Sequence, residues 1–422
     1  MKKIICFLFL TSILGNLSAA EYSLIKTPEN GWTKRDGLPN FSRKLFDGKD
    51  VTVAYIGGSI TAQDGWRVKT TAWLREKFPD VTITEVNATI GGTGSDLGVF
   101  RFDRDVLAYS PDLIFVEFAV NDGGADPARI VRAMEGMVRK AWAVNAETDI
   151  CFTYTYANGF EHSYREGNLP RSTSADETLA AYYGIPTLDM AGRVVRYETE
   201  KKLVFAAPKG EYPEGKITFS EDGVHPIDAG HEVYMEVVKP ALGEMLKEGH
   251  AARIPHEMKT PLEEDHWADA KIVPVRAEML GGEWELLPVT EGLGQQFAHR
   301  MDEIWHSGTP GATLTIRFRG SMVGIYDLLG PDGGQIFYEV NGVRKGPQPF
   351  FDRYCTGHRL ATFFFAADLE RDAEHTVMME LDAEQPDRAS VTDREKEKPW
   401  FDAKRYDGMN VWVGGIMLRG EL

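Results

Sequence analysis

Five short apolar runs, separated by amphipathic segments, constrain this chain more than any other feature. They read VTVAYI (51–56), VTITEVNA (81–88), LIFVEFAV (113–120), DICFTYTY (149–156) and IPTLDM (185–190). A strand with one face in water alternates apolar and polar residues, whereas a nearly continuous apolar run needs cover on both faces. Helical stretches are expected around Trp66–Phe78 and Leu97–Ala108, and Asp126-Pro127 opens another, with an N-cap acid and proline at the first helical position. Its apolar stripe is Ile130, Met134, Met137, Val138 and Trp142. A closing helix is expected over 229–246. Strands of this kind between helices imply a parallel sheet with helices on both faces.

Beyond this region the period changes. Residues 248–270 are polar and aperiodic and carry two prolines, so they read as a linker. After them come strand-like runs, among them TLTIRF, MVGIYD, QIFYEVN, LATFFF, HTVMMEL and NVWVGGIML, with turns at GPDGG (330–334) and NGVRKG (341–346). Short strands with turn signals and few helices predict a β-sandwich over 271–422. Residues 383–405 are charged and read as a long surface excursion. The expected organisation is a leader over 1–20, a lead-in over 21–50, an α/β domain over 51–247, the linker, and the sandwich.

The leader reading rests on Lys2 and Lys3, an apolar run from Ile4 to Leu14, and small residues at Ser18-Ala19-Ala20, with a cut expected after Ala20. It implies a secreted or periplasmic protein without a membrane anchor. Only Cys151 and Cys355 lie beyond it, too few for a disulfide scaffold; whether they pair is left open. The net charge is −17 for the full chain and −19 without Lys2 and Lys3. Such a surface repels nucleic acid and anionic membranes. Nothing in the sequence bears on the oligomeric state.

Ligands of open parallel sheets bind beyond the carboxyl ends of the strands. At those ends stand Gly57-Gly58-Ser59, the stretch NATIGGTGSDLG (87–98), and VND (120–122); before the last helix comes FSEDGVHPIDAGH (219–231). A hydroxyl, a glycine-rich backbone, a carboxamide and an Asp-x-x-His pair are the parts that acyl transfer requires. At three residues' separation in a turn, Asp222 can reach one imidazole nitrogen of His225 and leave the other for Ser59. Glycines at 91, 92 and 94 allow backbone N–H groups to approach a substrate, and Ser59 N–H and the Asn121 amide are further donors.

The four stretches, GGSIT, IGGTG, VND and DGVH, resemble in order the blocks of the SGNH (GDSL-type) hydrolases. The resemblance covers about residues 50–247. It implies a flavodoxin-like three-layer α/β/α sandwich and ester hydrolysis by Ser59, His225 and Asp222. The implied oxyanion hole is Ser59 N–H, Gly92 N–H and the Asn121 amide, with Gly91 or Gly94 as alternatives to Gly92. The sequence departs from the family in reading Gly-Gly-Ser rather than Gly-Asp-Ser, and in placing Ala119-Val120 before Asn121, where glycine is common.

Gly58, Asp64, Trp66, Arg67 and Glu117 are candidate pocket residues; for Glu117, a carboxylate within an apolar strand, a structural hydrogen-bonding role is the stronger expectation. His231 reads as structural. No Cys, His or Asp spacing resembles a metal site, and no cofactor is implied. In the sandwich, Trp284, Trp305, Tyr326, Tyr338, Phe350, Phe351 and Tyr354 are read as core before sugar platform. The resulting expectation is a secreted serine esterase that removes small acyl groups, acetyl above all, from a carbohydrate. A lipase or lysophospholipase, and a carbohydrate-binding protein with a vestigial hydrolase domain, are the alternatives.

Overall fold

The computed structural model describes residues 22–247, 253–398 and 401–422. The expected leader and residues 248–252 of the expected linker lie outside them. The first domain is built on a six-stranded sheet: β1 (Trp32–Thr33), β2 (Val51–Gly57), β3 (Ile83–Thr89), β4 (Leu113–Glu117), β5 (Asp149–Tyr154) and β6 (Thr187–Asp189). Its spatial order is β1-β6-β5-β4-β2-β3. β2 to β6 are parallel and β1 is an antiparallel edge. The five parallel strands therefore run in the flavodoxin-like order, with the reversal between β2 and β4.

Helices cover both faces: α1 (Pro39–Phe46), α2 (Ser59–Ala62), α3 (Trp66–Lys77), α4 (Ser95–Asp105), α5 (Pro127–Val144), α6 (Glu161–Arg165), α7 (Arg171–Tyr183), α8 (Met190–Thr199) and α9 (Asp228–Met245). Alternate strand residues enter opposite cores. Val53, Tyr55, Leu113 and Phe115 pack with α1, α3, α8 and α9. Ala54, Ile56, Ile114 and Val116 pack with α4, α5 and α7. The expected start of α5 is present: Asp126 accepts from Ala128 N at 2.9 Å ahead of Pro127. The lead-in is part of this body, since β1 extends the sheet and Phe41 of α1 is buried in it. The expected third strand stops at Glu117, three residues early, because the chain turns there toward Asn121. Two further strands, β7 (Leu203–Ala206) and β8 (Ile217–Ser220), pair in parallel beside the main sheet.

The second domain is a ten-stranded sheet: β9 (Ala270–Val273), β10 (Leu280–Gly281), β11 (Glu285–Leu286), β12 (Trp305–Ser307), β13 (Thr313–Leu329), β14 (Gln335–Val340), β15 (Val343–Pro349), β16 (Arg359–Ala366), β17 (Glu374–Leu381) and β18 (Val411–Glu421). TLTIRF and MVGIYD, expected as two strands, are one. The first half of β13 pairs with β17 and the second with β16 and β18, so a single strand serves both halves of the sheet around one core. It changes partners at Gly320, which faces Gly420; a Cβ on either would lie 2.1 Å from a carbonyl oxygen of the other strand. The expected turn at 341–346 mostly belongs to β15. Within 383–405, Val391 is buried and forms a small cluster with Phe351, Cys355 and Tyr406.

The expected linker is a strap rather than a spacer over its described residues. His256 bonds to Asp149 at 2.8 Å and stacks on Trp142. The Leu262 and Glu263 amides donate to buried Glu135 at 2.7 and 2.8 Å, and Trp267 N donates to Arg132 O. Trp267 then joins Phe100, Tyr326, Leu360 and Met417 in a core that runs continuously from one domain into the other. Cys151 and Cys355 are both free and buried.

Candidate active site

β2 ends in glycines because the chain must turn sharply under close neighbours. A Cβ on Gly57 would lie 2.6 Å from Glu117 O, and one on Gly58 only 1.9 Å from Asn121 Oδ1. The absence of a side chain at 58 is therefore what lets the Asn121 amide come in beside the turn. Ser59 follows as the first residue of α2, at the reversal between β2 and β4. Ile90 N donates to Gly57 O at 3.0 Å and ties the glycine loop to this turn. Gly91 backs on Ser59, with its Cβ position 3.4 Å from Ser59 Cβ, and Gly92 takes a left-handed φ of +74°.

His225 and Asp222 arrive on the loop between β8 and α9. The loop is closed by Ile227 N to Phe219 O at 2.9 Å and Gly223 N to Ser220 Oγ at 2.7 Å, and Gln63 Nε2 pins it to the serine side through Pro226 O at 3.2 Å. Ser59 Oγ lies 2.8 Å from His225 Nε2. His225 Nδ1 lies 2.6 Å from Asp222 Oδ2, while Asp222 Oδ1 accepts from the Val224 and His225 amides at 2.9 and 2.8 Å. Partial burial pushes the Asp222 carboxyl up, but the His225 ring and these two amides outweigh it and hold the group below the usual carboxylate range. This relay can draw a proton from the serine hydroxyl and stabilise the imidazolium that forms.

Trp66 and Arg67 lie elsewhere than the sequence placed them. Trp66 is not a pocket wall: it is fully buried, edge-on to Tyr55 and Phe115. Arg67 turns away as well. Its Nε donates to Thr61 O at 3.0 Å and its guanidinium pairs with Glu85, so it braces the serine turn from behind. Asp64 is exposed, with a 3.4 Å contact to Arg67. Gly58 caps α2 against Asn121, and Glu117 is buried beneath the turn, accepting from Thr61 Oγ1 at 2.9 Å and Thr155 Oγ1 at 2.7 Å. Burial raises the Glu117 carboxyl above its ordinary range, and the two hydroxyls only partly oppose this. His231 is buried and its Nδ1 accepts from Trp66 N at 3.2 Å. Of the seven aromatics named in the second domain, only Tyr354 is exposed; Tyr326, Phe350 and Phe351 are buried and the others half-buried.

Beside Asn121 the structure has a cavity of about 260 Å³ that the sequence did not reveal, bounded by Gly92, Asp96, Asn121, Asp122, Arg129 and Thr362. Asp122 is the residue the motif reading passed over. It is buried and its Oδ1 accepts from Ser95 N at 3.0 Å, which fastens the glycine loop to the turn after β4. Burial pushes its carboxyl up to about 7 against the pull of the Ser95 bonds. A larger cavity of about 450 Å³ between the lead-in and α8 contains none of Ser59, Asp222 or His225. Among the described residues no group of three or more His, Cys, Asp and Glu side chains is arranged to hold a metal ion.

Residues 55–233 match the model of the GDSL-like Lipase/Acylhydrolase family. Over both domains the chain is similar to a two-domain esterase (CEX) active on acetylated mannans, and to the same esterase co-crystallized with mannopentaose. Each comparison has 20% identity and a TM-score of 0.69, covering 93% of this chain and 98% of the other. At that identity the likeness extends to the two-domain fold. A search of curated proteins returned no match.

Proposed function

Residues 55–233 form a domain of the GDSL-like lipase/acylhydrolase family, and from that premise we propose that the chain is a secreted serine esterase removing small acyl groups, acetyl above all, from a carbohydrate. The observation that carries this reading is the unbroken relay from Ser59 through His225 to Asp222. Ser59 Oγ attacks the ester carbonyl as His225 Nε2 takes its proton. Asp222 holds the ring and stabilises its charge. The developing oxyanion is received by Ser59 N–H, Gly92 N–H and the Asn121 amide. His225 then returns the proton to the departing sugar hydroxyl, and a water activated by the same ring releases the acyl group from Ser59.

The sugar is supported by chemistry at the site. A long acyl chain in the cavity beside Asn121 would leave several polar groups without partners, each at a cost of about 1–3 kcal/mol. The activity of the similar two-domain esterase on acetylated mannans points the same way. Export is supported by the N-terminal pattern of Lys2, Lys3 and the apolar run, and no helix among the described residues is long and apolar enough to cross a membrane. N-terminal sequencing of the exported protein is expected to start at Glu21.

The decisive experiment is Ser59→Ala. The variant is expected to fold normally, lose turnover on p-nitrophenyl acetate and refuse a fluorophosphonate label that the unaltered chain takes up stoichiometrically. Retained turnover would eliminate the mechanism. Faster hydrolysis of long-chain than of acetyl esters would move the protein to the lipases.

A further inference from the structure

The cavity of about 260 Å³ beside Asn121 lies just below the usual range for small-molecule sites, about 300–1,000 Å³, and has room for one ring-sized group. Its walls come from three separate elements. The glycine loop and the first turn of α4 bring Asp96, the first turn of α5 brings Arg129, and β16 of the second domain brings Thr362. Thr362 lies there by strand alternation. Leu360 and Phe364, two residues to either side, both pack in the core between the domains, while Phe363 and Phe365 face the interior of the second domain.

Arg129 is held in place rather than free. Its guanidinium lies 5.1 Å from the ring centre of Trp267 and 5.0 Å from that of Phe364, and its one side-chain hydrogen bond among the described residues runs to Asp96 Oδ2 at 3.2 Å. Most of its N–H donors are thus unused, and Asp96 retains lone pairs beside them. Below them lies Asp122, whose Oδ2 is buried with no partner. An anionic ligand would meet Asp96 and Asp122, a cationic one Arg129, and an alkyl chain would strand all three. A neutral polyol satisfies the set, because adjacent hydroxyls can donate to a carboxylate and accept from a guanidinium at once.

We propose that this cavity is a sugar subsite, in which Asp96 and Arg129 grip a vicinal pair of hydroxyls of one ring of the substrate and Thr362 forms the far wall. The proposal rests on the carbohydrate-esterase reading and locates where that carbohydrate is recognised.

Binding of mannotetraose and xylotetraose to the full-length Ser59→Ala chain, followed by calorimetry, tests it. At least one probe is expected to bind. Asp96→Ala and Thr362→Trp, each added to that chain, are expected to weaken binding by about ten- to a hundredfold with melting temperatures unchanged. In the enzyme with Ser59 intact, the same changes should lower kcat/KM on an acetylated oligosaccharide at least about tenfold more than on p-nitrophenyl acetate. Unaltered binding in both variants overturns the subsite, as does a chain that hydrolyses p-nitrophenyl acetate yet binds neither probe. Should Thr362→Trp not fold, Asp96→Ala decides alone. If no ester is hydrolysed while a probe binds and the variants weaken it, the esterase reading falls and the subsite stands.

Discussion

At the scale of single residues, much of the site depends on side chains that are absent. Gly58→Ala would push a methyl into the space of the Asn121 amide, whose Oδ1 lies 1.9 Å from that Cβ position. In the proposed mechanism that amide is one of three oxyanion donors, and displacing one such donor costs about a hundred- to a thousandfold in kcat. Steady-state kinetics on p-nitrophenyl acetate should find that loss for Gly58→Ala and for Asn121→Ala, with KM little moved. Gly65 makes the same argument for stability. A Cβ there would lie 2.2 Å from the His231 ring, so Gly65→Ala should cost about 1–3 kcal/mol in urea unfolding.

At the scale of elements, α3 and α9 are joined by His231, which accepts from the first amide of α3 only while neutral. Burial, with a smaller push from Lys69, lowers its pKa to about 4. The unfolded chain takes up this proton near pH 6.5 and the folded chain only near 4. Stability from the neutral ring is thus complete above about pH 6.5 and lost as pH falls toward 4, by about 3 kcal/mol at most. Urea unfolding across that window should find a shallower loss in His231→Gln than in the parent. Among the helices that periodicity missed, α7 has a mechanism too. Its buried face carries Ser172, Ser174, Asp176 and Glu177, so it shows no apolar stripe. Glu177 is satisfied by Tyr154 Oη at 2.8 Å and by pairing with Arg35, and Ser172 Oγ by Ala119 O at 2.8 Å, partners that no local pattern announces.

At the scale of the whole molecule, the domains share a core instead of meeting across a spacer. Trp267 packs on Phe100 with Arg419 over its ring, while Arg419 bonds Asp265 and Asp269 of the strap at 2.8 and 2.9 Å. Two consequences follow from that continuity. Thermal unfolding should be a single transition, and Trp267→Ala should lower it by the equivalent of about 3–5 kcal/mol. A chain ending at residue 270 should bind a hydrophobic dye or aggregate during size-exclusion chromatography, because Phe100 and its neighbours would lose their cover.

Taken alone, the sequence determined what is periodic or local: strands that need cover on both faces, helices with apolar stripes, and an acid three residues from a histidine in a turn. These follow from backbone geometry over a few residues. The ordered blocks already implied that Ser59 and Asn121 share a site; only the tertiary structure decided which strand lies beside which, with the β2 and β4 ends adjoining, and that Gly58 makes room for the amide. It also turned Trp66 and Arg67 inward and brought Thr362 to face Asp96 across the domain boundary. A run of apolar residues says that a face must be buried, but the identity of what buries it is set by contacts between residues far apart in the chain.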